Sequence, residues 1–153
     1  MISLFLNLCV TQFGPCPAEY LTDKYLHRRP EVYSISTHYQ FPLTLKKNVI
    51  LRVPLGTIAT SSASPRFIVD TYGQVYSQSA NSALPLLLVP GAIQISKPVT
   101  SEQLNSLKAL SLLAPLFFDS PTGEFRETDL VVHVKNYEIL LDPKNPDNSA
   151  SIA

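Results

Sequence analysis

Tyr33, Ile35, Thr37, Tyr39 and Phe41 alternate with Ser34, Ser36, His38 and Gln40. Period two in β-branched and aromatic residues predicts a half-buried strand, and Pro42 ends it. Leu43, Leu45, Val49, Leu51 and Val53 then alternate with Thr44, Lys46, Asn48 and Arg52, predicting a second strand. The short link through Phe41 and Pro42 makes the two an antiparallel pair. Lys47 interrupts the apolar side, which predicts a place near the sheet edge, where lysine reaches solvent and discourages unwanted pairing.

Upstream, Ala18, Leu21 and Tyr25 recur at helical spacing and predict a helix over 17–29, opened by Pro17 and closed by Pro30. Arg28 and Arg29 suit its negative C-terminal end. Met1 to Val10 is apolar but too short to span a bilayer and predicts a buried strand or half-helix. Pro54 closes the strand pair, and residues 57–65 form a Ser/Thr/Ala-rich connector. Arg66–Val69 and Gln74–Ser77 then flank Asp70 and Gly73, the chemistry of a hairpin in which Gly73 takes a positive φ. Leu84 to Val89 is a dense apolar run and predicts a buried segment. Thr100-Ser-Glu-Gln103 has the form of a capping box, followed by a leucine stripe at 104, 107, 110 and 113 that stops before Pro115. Leu130–Lys135 and Tyr137–Leu141 predict two strands across a turn at Asn136. The sequence after Asp142 is polar.

Composition narrows the function classes. The chain has 153 residues, of which 45% are hydrophobic and 16% charged, enough apolar material for a packed core. Twelve basic and twelve acidic residues cancel, so the basic excess that neutralises nucleic-acid phosphates is missing. Thirteen prolines against five glycines predict short elements and stiff turns. Cys9 and Cys16 are too few for a structural zinc site; a disulfide between them is geometrically possible in an oxidising compartment, and independent reduced thiols are the plainer reading. The N-terminus lacks the basic region of a signal peptide, and Leu8 is bulky where a lipoprotein box needs a small residue before Cys9.

The chemistry-bearing residues do not converge in sequence. Cys16 with His27 or His38 would make a cysteine hydrolase, but nothing around either cysteine resembles a nucleophile turn. His27, His38 and His133 fall on a helix and two strands, which argues against a shared metal. Asp70 with Glu127, Asp129 or Glu138 would supply paired carboxylates, yet Asp70 has a simpler task in its turn. Five dispersed glycines cannot form a phosphate loop. We therefore assign no catalytic, cofactor-binding or metal-binding residue and expect no small-molecule substrate.

Several short motifs carry more information in their order. Pro30-Glu-Val32 is followed by Phe41-Pro42-Leu-Thr-Leu45, Arg52-Val-Pro54-Leu-Gly56 and Phe67-Ile-Val-Asp70-Thr-Tyr-Gly73-Gln-Val-Tyr76. Leu84-Pro-Leu-Leu87 with Gly91, and Lys135-Asn-Tyr-Glu-Ile-Leu-Leu-Asp142, complete the series. This order resembles the extracytoplasmic part of the FtsQ/DivIB family of bacterial cell-division proteins. Phe41 stands where that family has tryptophan and Gly56 where it has alanine.

The resemblance implies an α+β fold. A partial POTRA domain (a helix on a small mixed sheet) would occupy residues 1–55. A β domain with antiparallel hairpins and one leucine-rich helix would occupy 56–153. It further implies a noncatalytic scaffold for septum formation that recruits FtsB and FtsL through sheet edges and apolar surfaces. The full-length protein would be held by a single-pass helix in the cell membrane, with this region on the extracytoplasmic face and this chain a piece of the whole. A POTRA module of an outer-membrane assembly or secretion system is the alternative. Ser34, Thr37 and Tyr39 on the first strand are the expected recruitment surface, against the simpler possibility that Tyr39 packs on the preceding helix. Leu130, Val132, Val134 and Tyr137 are expected at an exposed hairpin edge.

Overall fold

The chain forms two compact units, Met1–Arg52 and Val53–Ala153. The computed structural model describes residues 6–8, 10–11, 14–15, 24–40, 44–79, 83–117, 120–144 and 150–152. The division falls earlier than residue 55 because Pro54 already pairs with Asp70 in the second unit's sheet.

In the first unit, β1 (Leu6–Leu8) belongs to a three-stranded sheet, while β2 (Val10–Thr11) and β3 (Gly14–Pro15) pair with each other. Of the helix expected over 17–29, residues 24–27 are helical, and residues 17–23 lie outside the described residues. Backbone N–H groups of Arg28 and Arg29 donate to the carbonyls of Tyr25 and Leu26 at 3.2 and 3.0 Å, tightening the last turn ahead of Pro30. The Arg29 guanidinium lies 4.6 Å over the Tyr25 ring and also donates to its hydroxyl.

The two alternating segments form β4 (Val32–Gln40) and β5 (Thr44–Leu51), antiparallel, with Ile35 opposite Val49. Burial follows the period: Val49 is buried and Ile50 exposed. A bulge between Val32 and Ser34 shifts Tyr33 off the expected apolar face. Its exposed ring lies 5.4 Å from the Arg52 guanidinium. Lys47 is not at the edge. The sheet order β1-β5-β4 makes its strand the central one, with Leu6 opposite it on one side and Thr37 on the other. The apolar N-terminal segment supplied the extra strand that moved β5 inward.

Among the described residues, the second unit is a sheet of eight strands with one helix on it. After β6 (Pro54–Ala59) come β7 (Arg66–Asp70), β8 (Val75–Ser79) and β9 (Leu86–Leu88). The helix α1 (Ser101–Phe117) follows, then β10 (Thr122–Arg126), β11 (Asp129–Val134), β12 (Tyr137–Leu141) and β13 (Ala150–Ile152). The spatial order is β13-β12-β11-β10-β9-β6-β7-β8. Neighbours are antiparallel except β9, which runs parallel to both β6 and β10. Parallel neighbours need a long crossover, and α1 carries the chain from β9 to β10.

The core lies between α1 and one sheet face. Leu107 and Leu110, both fully buried, pack with Ile58, Leu87, Leu130 and Val132. The capping box closes the helix start: Thr100 N–H donates to Gln103 Oε1 at 3.0 Å, and Gln103 N–H to Thr100 Oγ1 at 3.2 Å. The helix does not stop at Pro115. That proline sits exposed in the last turn, where only one helical hydrogen bond is lost to its missing N–H.

The hairpin between β7 and β8 forms as expected, with Gly73 at φ 83°. In the hairpin between β11 and β12 the positive φ falls on Lys135, at 54°, and not on Asn136. Among the described residues, no helix is long and apolar enough to cross a membrane.

Candidate docking surfaces

β4 is the outer strand of the first unit's sheet, so one edge of its backbone faces away from β5. Ser34 is half-buried opposite Ile50, and Thr37 and Tyr39 stand opposite Lys47 and Leu45. The side chains of Thr37 and Tyr39 lie outside the described residues.

The hairpin residues divide differently from expectation. Leu130, Val132 and Val134 are 0%, 0% and 1% exposed, whereas Tyr137 is 57% exposed. The first three alternate onto the face covered by α1 and belong to the core, so their side chains are not a docking surface. Nor is their strand an edge: β11 lies between β10 and β12, and β12 pairs with β13 through Ile139 opposite Ile152. The polar tail hid that last strand. The outer strand at this end of the sheet is β13.

On β10 to β12, polar side chains gather on one partly exposed patch. His133 Nε2 lies 3.2 Å from Glu124 Oε1, and its Nδ1 lies 3.4 Å from Glu138 Oε1. Arg126 approaches the same Glu124 oxygen at 3.2 Å. The hydrogen bond with His133 does most to hold the Glu124 carboxyl below its ordinary value; desolvation opposes it, and Arg126 adds to the lowering. This is a partly solvated polar cluster on the sheet surface. Among the described residues, no group of three or more His, Cys, Asp or Glu side chains has the geometry to hold a metal ion.

Asp70 is fully buried, and its Oδ1 accepts from the N–H groups of Tyr72 and Gln74 at 3.0 and 2.9 Å. Those bonds shape the β7–β8 turn. His27 and His38 are exposed in the first unit. Cys9 and Cys16 lie outside the described residues.

One concavity has no counterpart in the sequence reading. A cavity of about 190 Å³ opens beside β8 and the start of α1, floored by Ile58, Val75 and Val89, with Lys97 among its lining residues. Its walls come from four separate segments, so no local motif announced it. No protein-family model matches this chain, and no curated protein matches it.

Proposed function

We propose that this chain is a noncatalytic scaffold of the FtsQ/DivIB type, acting on the extracytoplasmic face of the cell membrane in septum formation. In this reading the first unit is a POTRA-like domain, and the second is the β domain that recruits FtsB and FtsL. The observation that carries it is the sheet end at β13, which among the described residues pairs with β12 alone. Such an edge offers main-chain donors and acceptors to an added strand of a partner, with alternate side chains giving selectivity. The edge of β4 in the first unit offers a second template of the same kind. The motif order from Pro30 to Asp142 adds the family resemblance to that physical argument.

The test is capture of FtsB and FtsL on this chain. Stoichiometric capture that disappears when residues 150–152 are deleted, with α1 and the rest of the sheet still folded by amide spectra, is the expected result. Failure of the intact, folded chain to capture either partner overturns the reading.

A further inference from the structure

The chain is neutral as a whole but not in its parts. Residues 1–52 carry six Lys and Arg against three Asp and Glu, a net charge of +3, and residues 53–153 carry six against nine, a net charge of −3. The positive unit gathers much of its charge at one place. Lys24, Tyr25, Arg28 and Arg29 lie one and four residues apart along the helix end before Pro30, so they share a face, and all four are exposed. Among the described residues, Lys24 and Arg28 have no ion-pair partner.

The chain beyond Pro30 adds Arg52 and Tyr33 to this surface. Val32 N–H donates to Arg29 O at 3.1 Å, turning the backbone at the helix end. Arg52 N–H donates to Glu31 O at 2.8 Å and its Nε to Pro30 O at 3.1 Å, which fixes the guanidinium beside that turn. The bulge between Val32 and Ser34 re-aims Tyr33, whose ring lies 5.4 Å from the same guanidinium. An Arg–Tyr pair thus stands on each side of Pro30, with Tyr25 55% and Tyr33 45% exposed. Among the described residues of this surface, four cations meet one carboxylate, Glu31.

The shape and the ring geometry choose the partner. A helix end and a tight turn form a convex surface, whereas ligands and peptides are held in concave ones. Single-stranded nucleic acid stacks its bases on open ring faces, and Arg29 already lies over one face of Tyr25. A bilayer asks for neither a groove nor a free ring face. Its headgroup layer is where tyrosine collects, ring inward and hydroxyl in water, and guanidinium forks hold phosphate oxygens in paired hydrogen bonds.

We propose that this surface of the first unit rests on an anionic lipid headgroup layer, with Lys24, Arg28, Arg29 and Arg52 on the phosphates and Tyr25 and Tyr33 reaching into the layer. The contact is separate from the strand edges and does not rest on the scaffold reading.

The experiment is co-sedimentation of the full chain with vesicles of phosphatidylcholine alone, or with about 30% phosphatidylglycerol, at low salt. Binding is expected to the anionic vesicles only, and its loss is expected at about 0.5 M salt. Each Lys or Arg at such a surface is worth about fivefold in affinity, so Arg28→Gln with Arg29→Gln is expected to bind about 25-fold more weakly. Lys108→Gln with Lys144→Gln makes the same charge change at exposed positions of the second unit and should stay within about twofold of the native chain. Tyr25→Ser with Tyr33→Ser should weaken binding at unchanged charge. Amide spectra check that each variant is folded. Equal losses in the two charge variants would mean that net charge alone is read and overturn the surface, as would full affinity in the arginine variant. Full affinity in the tyrosine variant overturns insertion into the layer. Displacement from the vesicles by about 10 mM glycerol 3-phosphate, or tighter binding to oligothymidylate or to an oligoglutamate peptide, overturns the bilayer as partner. No binding of the folded native chain to anionic vesicles overturns the proposal altogether.

Discussion

Leu107 presses onto Gly56 so closely that a β-carbon on that glycine would stand 2.8 Å from Leu107 Cδ2 and 3.2 Å from the carbonyl oxygen of Pro85. Leu107 is fully buried against the sheet, and the Pro85 oxygen is backbone that also accepts from Thr57 N–H and Oγ1. Neither neighbour can retreat cheaply. Gly56→Ala is therefore expected to destabilise the second unit by about 1–3 kcal/mol, the usual cost of overpacking. Chemical denaturation would measure it. In a Leu107→Ala background the same substitution should cost much less, and equal costs in the two backgrounds would show that the contact is not the cause.

The Asp70 carboxylate organises the β7–β8 turn through two backbone N–H groups from a fully buried position. Asp70→Ala removes the acceptor for both and is expected to cost about 1–3 kcal/mol. Asp70→Asn keeps an oxygen of the same shape and should cost clearly less. Equal losses in the two variants would mean that the turn depends on the charge and not on the acceptor.

What the sequence disclosed depended on whether a strand had to satisfy more than its own period. Alternation exposed β4 and β5, and Asp70 with Gly73 announced the β7–β8 hairpin, because these are local signals. β6 was missed because Pro54 reads as a terminator, although a proline is tolerated as the first residue of a strand. β10 was missed for a different reason. Gly123 weakens a strand signal, yet a β-carbon there would stand 3.0 Å from Leu110 Cδ1, so α1 demands the residue that propensity disfavours. The parallel pairing of β9 with β10 is likewise set by the crossover through α1, and that of β9 with β6 by the return of the chain through β7 and β8. The hairpin sites failed on side-chain direction: Leu130, Val132 and Val134 share the apolar period of a surface stripe, and the helix that covers them is remote in sequence.

The Glu124 cluster gives the fold a small acid-side pH dependence. His133 and Arg126 hold the carboxyl below its ordinary value of 4.5, so the folded state binds its proton less readily than the unfolded chain. Its stabilising contribution is fully present above that value and is lost as pH falls through the lower folded value. The side chain is 37% exposed, so solvent screening limits the gain to roughly 0.2–1 kcal/mol. Denaturation midpoints between pH 6 and pH 3 should therefore fall slightly more steeply for the native chain than for Glu124→Gln. Parallel curves would show that the cluster contributes nothing to stability.

Lys135 adopts φ 54° in the two-residue turn joining Val134 to Tyr137, a conformation that crowds the β-carbon of an L residue. Lys135→Gly relieves that crowding and is expected to raise stability by as much as about 1 kcal/mol, offset in part by the greater freedom of the unfolded chain. A β-branched residue fits this region worst, so Lys135→Val should lower stability by about 1–2 kcal/mol. The penalty falls on the hairpin that carries β12, and among the described residues β12 is the strand that pairs with β13. Amide exchange should therefore accelerate in β12 and β13 of Lys135→Val, with little change in β4 and β5 of the other unit. Uniform acceleration across both units would mean that the turn is coupled to global unfolding and does not tune the β13 edge by itself.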